Sequence, residues 1–188
     1  IDVVEPDMHE PSGDFERVQD ALRAQWQISG VTAPLSILQK LQPALRKGNW
    51  QVSVALHQPA NSQDYQIVGV WPGLHEGGLY GLAIDLGSTT IAAHLCDLSD
   101  GRVLPSSGLM NPQIRFGEDL MSRVSYVMMN PGGDREMTDA VQQAIANLAV
   151  EIAAEGGIDP ALIFETVIVC NPVMHHLLLG IDPVELGQ

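Results

Sequence analysis

The sequence predicts an α/β protein: a small α+β domain, then the first part of a larger lobe with a mixed sheet. Three observations carry that prediction. Residues 81–96, GLAIDLGSTTIAAHLC, are two apolar, partly β-branched runs joined by a tight turn, the pattern of adjoining strands. A third strand, two amphipathic helical patterns and the apolar run Thr166-Val167-Ile168-Val169-Cys170 follow, as in one half of an α/β domain. Before them, residues 14–78 hold two helical and then two strand patterns, enough for a compact unit of their own.

Residues 1–13 contain Pro6, Pro11 and four acidic residues and read as an extended linker. Ser12 or Asp14 is placed to cap a helix that runs to about Trp26, with Phe15, Val18, Leu22 and Trp26 at helical spacing. Pro34 opens a second helix with a stripe of Leu35, Leu38, Leu41 and Leu45, closed by Gly48. Pro43 inside that pattern predicts a kink or break near Leu41. Strands follow at residues 50–56 and 65–71 around a polar turn, and residues 72–78 form a turn-rich boundary before the lobe over 79–188.

In the lobe, the Asp100-Gly101 turn leads to a strand at Val103-Leu104, which Pro105 restricts to a sheet edge or strand end. After Asn111-Pro112-Gln113, a helix sets Leu120, Val124 and Val127 or Met128 on one face and ends at residues 130–133. Met121, Met128 and Met129 read as adaptable packing. Met137, Val141, Ile145, Leu148 and Ile152 define the next amphipathic helix, stopped by Gly156-Gly157. The run 166–170 has the composition of a parallel strand buried on both faces, and Asn171-Pro172 breaks it before a last helix.

The charge balance, 9 Lys+Arg against 23 Asp+Glu for a net −14, disfavours nucleic acid and anionic membrane surfaces as partners. No apolar run reaches the roughly 18 residues of a membrane helix, and nothing resembles a signal peptide. The two cysteines, Cys96 and Cys170, sit in apolar runs and read as reduced thiols of a cytoplasmic protein. Four cysteines for an iron–sulfur cluster are not present. His57 and His75 stand alone near loops, and the adjacent His175 and His176 point about 100° apart on a helix, too far to chelate one ion.

The chemistry concentrates in the turn Asp85-Leu86-Gly87-Ser88-Thr89-Thr90. Gly87 allows close approach of a ligand or a positive φ. The main-chain amides beside it, with the hydroxyls of Ser88, Thr89 and Thr90, suit phosphate oxygens. Asp85 at the strand mouth suits a hydrated Mg²⁺. Glu118 and Asp119 favour a helix N-terminus through its dipole or serve as functional carboxylates, and Arg115 and Arg123 meet either phosphate or nearby acids.

Strand, D-x-G-S-T-T turn, two strands, helix and strand together resemble the opening of the actin, Hsp70 and sugar-kinase ATPase superfamily. Within it, the stretches GLAIDLGSTTIAAHLCDL, MNPQIRFGEDLMSRVSY and NPVMHHLLLGIDP resemble the reductive activators of corrinoid proteins, and the residues before 75 resemble that family's linker region. The resemblance implies a partial RNase H-like (actin/Hsp70-type) lobe from a larger parent with an N-terminal [2Fe–2S] domain and a two-lobed ATPase module. Such a parent is cytoplasmic, binds ATP and Mg²⁺, and returns the inactive Co(II) corrinoid protein of a methyltransferase system to Co(I); a homodimer is compatible with it. In this chain the resemblance implies that Gly87, Ser88, Thr89 and Thr90 contact the terminal phosphates, that Asp85 is the catalytic carboxylate holding Mg²⁺ through water, and that Asn171 faces the same cleft. The sequence departs from the family at the missing cluster cysteines and second lobe, so hydrolysis by this chain alone is expected to be negligible. It departs again at Cys170, where a glycine is expected. Two other readings fit the same residues: a small-molecule kinase-like phosphotransferase, and a non-catalytic docking module in which the turn is a plain hairpin.

Overall fold

In the computed structural model, which describes residues 1–9 and 11–187, the chain divides into two units, Ile1–Gly77 and a second beginning at Gly78. The first contains α1 (Asp14–Trp26), β1 (Val31–Thr32), α2 (Leu35–Lys47), β2 (Val52–His57) and β3 (Tyr65–Pro72). Its sheet has the order β1-β3-β2, with β1 parallel and β2 antiparallel to β3. Val18 and Leu22 from α1, Leu41 and Leu45 from α2, and Ile67 from β3 form its core. The start of the chain lies against this unit: the Ile1 ammonium donates to Val52 O at 2.8 Å, Val3 N donates to Trp50 O at 2.8 Å, and Val3 is buried.

Local chemistry adjusts several expected features. Gly13, not Ser12 or Asp14, is the N-cap of α1, and its amide donates to the Glu16 carboxylate at 3.0 Å. Asp14 is turned instead toward Arg46 of α2. The buried stripe of α2 is Ile37, Leu41, Ala44 and Leu45, while Leu35 and Leu38 are exposed, and Trp26 is exposed on α1. No break occurs at Pro43: α2 runs through it. Pro43 and Gln39 both lie on the exposed side, where water can bond the Gln39 carbonyl that lacks its helical donor.

The second unit contains β4 (Tyr80–Leu86), β5 (Thr90–Asp97), β6 (Val103–Met110), a 3-10 turn (Pro112–Phe116), α3 (Leu120–Met129), α4 (Gly133–Glu155), β7 (Ile163–Cys170) and α5 (Pro172–Leu179). Its mixed sheet has the order β6-β5-β4-β7; β4, β5 and β6 are antiparallel neighbours and β7 is parallel to β4. β6 continues past Pro105 because it is the edge strand and because its register shifts there. His94 faces Ser106 and Cys96 faces Val103, so Leu104 and Pro105 together oppose Leu95, a bulge that needs no ladder donor from proline.

Within this unit, among the described residues, helices pack on one face of the sheet. Leu82, Ile84, Leu86, Ile91, Ala93 and Leu95 point to a core shared with Val141, Leu148 and Ile152 of α4 and Met174 of α5. Residues of the opposite face, including Ala83, Asp85 and His94, are exposed. The expectation that the last strand is buried on both faces is therefore wrong: β7 is an edge, and Val167 and Val169 are 55% and 60% exposed. Of α3, Val124 is buried and Val127 half-buried, whereas Met121, Met128 and Met129 are exposed rather than packed.

Candidate functional site

The β4–β5 connection is a three-residue turn, Gly87-Ser88-Thr89, and each of its carbonyls is held from behind. Asn111 Nδ2 donates to Gly87 O at 2.8 Å, the Arg123 guanidinium donates to Ser88 O, and Asn111 N donates to Thr89 O at 2.8 Å. Gly87 N closes the turn onto Thr90 O at 3.0 Å. The amides of Ser88 and Thr89 and the hydroxyls of Ser88, Thr89 and Thr90 have no partner among the described residues. Thr89 and Thr90 are exposed and Ser88 half-buried, so these donors lie within reach of a ligand from solvent. Gly87 is required for space, not for a left-handed φ: a Cβ there would lie 2.7 Å from Thr90 O, and its φ is not positive.

The anchors behind the turn are a buried polar cluster. Asn111 caps the 3-10 turn by accepting from Gln113 N at 2.9 Å, and Gln113 Nε2 donates to Met137 O at 2.9 Å. Arg123, 0% exposed, also donates from Nε to Gly117 O at 3.0 Å and from Nη1 to Gln113 Oε1 at 3.4 Å, with Met174 Sδ at 3.0 Å from Nη1. Gly117 makes that approach possible, since a Cβ on it would lie 2.7 Å from Arg123 N. Burial pulls the Arg123 pKa below its ordinary value, and the Asp119 carboxylate partly counters it. The sequence left Arg123 between phosphate and acid partners; it takes neither role directly among the described residues and bonds carbonyl, amide and thioether groups instead. Arg115 is exposed, with its guanidinium 4.6 Å from the Phe116 ring centroid.

Asp85 lies on the uncovered sheet face, one residue before the last of β4, paired with Ala92 of β5 and Val169 of β7. Its carboxylate is exposed, with no hydrogen-bond partner among the described residues. Cys170 is in register with Leu86, and Asn171 follows it, so Asn171 reaches the same end of the sheet as Gly87. Asn171 Oδ1 accepts from Met174 N at 2.9 Å and is committed to capping α5. Burial raises the pKa of the Cys170 thiol, and the nearby Asp85 charge raises it further. Cys96 opposes Gly81 and Cys170 opposes Leu86, about 16 Å apart along β4, far beyond disulfide reach.

Asp119, not Glu118, caps α3: its carboxylate accepts from Ser122 N at 2.7 Å. His176 Nδ1 lies 2.8 Å from Pro172 O, and His175 is exposed. Among the described residues no three His, Cys, Asp or Glu side chains cluster to hold a metal ion, and no helix is long and apolar enough to cross a membrane. The turn suits a phosphate chain on one structural ground, the unpartnered Ser88 and Thr89 amides opposite its anchored carbonyls. An iron–sulfur cluster does not fit this chain, whose two cysteines are far apart.

Sequence reasoning singled out Asp85 and the turn as a candidate but missed Asn111 and Gln113 as the scaffold behind it. The available signal was the polar triplet Asn111-Pro112-Gln113 directly after an edge strand, where a burial role is not visible from periodicity.

Comparison with known proteins places the chain. Residues 1–77 match the model of the RACo linker region and residues 80–188 that of the RACo middle region. The corrinoid activation enzyme RamQ of Eubacterium limosum is 32% identical over 112 residues, 60% of this chain and 19% of RamQ. A solved structure of a reductive activator for corrinoid, iron-sulfur protein superposes with a TM-score of 0.82 at 31% identity, over 97% of this chain and 29% of that one. The chain thus spans less than a third of the length of either relative. With both of its regions matched in order, this chain belongs to the RACo family.

Proposed function

We propose that this chain supplies the linker and the phosphate-binding part of an ATP-dependent reductive activator, which returns an inactive Co(II) corrinoid protein to Co(I) by one-electron reduction. The observation that carries the reading is the Gly87-Ser88-Thr89 turn, with three carbonyls held behind it and unpartnered amides in front, beside an exposed Asp85. Support for the corrinoid part comes from the two relatives, one a corrinoid activation enzyme and the other a reductive activator.

In this reading the Ser88 and Thr89 amides bind the terminal phosphates, the Ser88, Thr89 and Thr90 hydroxyls orient them, and Gly87 lets the chain come close. Asp85 holds the waters of a Mg²⁺ ion, and Asn171, its Oδ1 occupied, offers Nδ2 to the same cleft. Bound Mg·ATP would supply the free energy of phosphoryl transfer for conformational work, with two lobes of the parent closing around the nucleotide. The single electron for Co(II) would be supplied by a [2Fe–2S] domain of the larger parent, outside these residues, and its acceptor would be the corrinoid protein of a methyltransferase system.

Calorimetric titration with Mg·ATP tests the nucleotide part. The wild-type chain is expected to bind weakly, and Gly87→Ala, whose Cβ would collide with Thr90 O, to lose binding. Binding that survives Gly87→Ala unchanged, or no binding by wild type at millimolar Mg·ATP, contradicts the reading.

A further inference from the structure

Arg123 is a fully buried cation that the phosphate-binding reading does not use. It is 0% exposed, has no carboxylate within ion-pair distance among the described residues, and sits directly behind the turn. Desolvating a charge without an opposite charge is costly, and it persists only where other groups offset the loss of water. Gly117 O, Gln113 Oε1, Ser88 O and Met174 Sδ do so here, using hydrogen bonds from three nitrogens of one planar group. A neutral side chain would fill the same space without that cost.

Two consequences follow at the turn. The bond to Ser88 O fixes the middle carbonyl of Gly87-Ser88-Thr89 toward the protein, while Asn111 fixes the carbonyls on either side. The negative ends of all three peptide dipoles are thereby drawn away from solvent, leaving the unpartnered Ser88 and Thr89 amides in front. The guanidinium charge, buried and only partly offset by the Asp119 carboxylate, adds positive potential through the peptide between Ser88 and Thr89. The chain as a whole carries −14, so a local positive field is needed where an anion is to settle.

We propose that Arg123 is a positioning residue for anion binding: it orients the Gly87-Ser88-Thr89 turn and charges it from behind without touching the ligand. The proposal rests on the phosphate-binding reading of that turn.

The test follows the 188-residue chain by nitrogen-edited NMR, titrating Mg·ATP and, separately, inorganic tripolyphosphate. In the wild type, the Ser88 and Thr89 amide signals and the Arg123 Nε–H signal are expected to move together with one dissociation constant. Arg123→Gln is expected to weaken both ligands roughly ten- to hundredfold, the range of one hydrogen bond from a charged group. It is also expected to flatten the dependence of affinity on ionic strength. Arg123→Lys keeps the charge and is expected to recover much of the affinity and the full salt dependence. A merely structural role would leave the salt dependence unchanged in both variants. An Arg123 signal that stays still while the amides move overturns the proposal and needs no variant to fold. So does a folded Arg123→Gln chain with wild-type affinity and salt dependence. If no turn amide responds to either ligand in the wild type, the phosphate-binding reading fails, and the proposal falls with it.

Discussion

At the scale of single residues, two carboxylates near the turn have different uses. Asp85 is exposed and unpartnered, whereas Asp119 spends its charge on the first turn of α3. The hydrogen bonds from Ser122 hold the Asp119 carboxyl below its ordinary value of 3.8. A folded-state pKa below the unfolded one means that the ionised group stabilises the fold above the unfolded value, and that the contribution disappears as pH falls through the folded value. Asp119→Asn keeps an acceptor suited to an N-cap and removes only the charge. The variant is expected to melt below wild type at neutral pH, with the gap closing in acid below 3.8. Thermal melts of both proteins across that range check it, and a gap that does not change with pH would contradict the account. Asp119 was legible from its place before an apolar helical pattern. Gly87 was legible as a glycine that must be there, but the reason, steric space beside Thr90 O, could come only from coordinates.

At the scale of elements, most strands and helices followed from periodicity, and the misses have local causes. β1 is two residues long, too short for any alternation to show. The stripe of α2 was placed on leucines alone, while the helix turns Ile37 and Ala44 inward and Leu35 and Leu38 outward. β6 outlasts its proline because an edge strand with a bulge at Leu104-Pro105 tolerates the missing donor. Pro43 is the counterpart in a helix. Packing of Leu41 and Leu45 in the first unit's core holds α2 together across a residue that would break an isolated helix. The penalty remains in the folded state, so Pro43→Ala, which restores the amide donor to Gln39 O, is expected to stabilise the protein by about 1 kcal/mol or more. Denaturant unfolding monitored by circular dichroism measures it. An unchanged or lower midpoint would mean that proline's restriction of the unfolded chain outweighs the lost bond.

At the scale of the whole molecule, the sheet of the second unit bears on how far the proposed phosphate binding could lead to turnover. Its covered face, packed on α4 and α5, fixes β4 and β5 and with them the turn. Its other face carries Asp85, Ala83, Val167 and Val169 in the open. That division was not readable from the sequence: the apolar run of β7 has the composition of a doubly covered strand, and composition does not say which layers pack on it. The consequence is chemical. A phosphate chain on Ser88 and Thr89 has donors on one side only, and Asp85 faces bulk water, where screening weakens the field on a transferring phosphoryl group. Rapid transfer needs a closed site that excludes water and positions the attacking nucleophile. Weak Mg·ATP binding with no steady phosphate release is therefore the expected behaviour of the purified chain, measured by a coupled phosphate assay at saturating nucleotide. Multiple turnovers that vanish in Asp85→Ala would show that one wall and one carboxylate are enough, and would place the whole hydrolytic machinery within these residues.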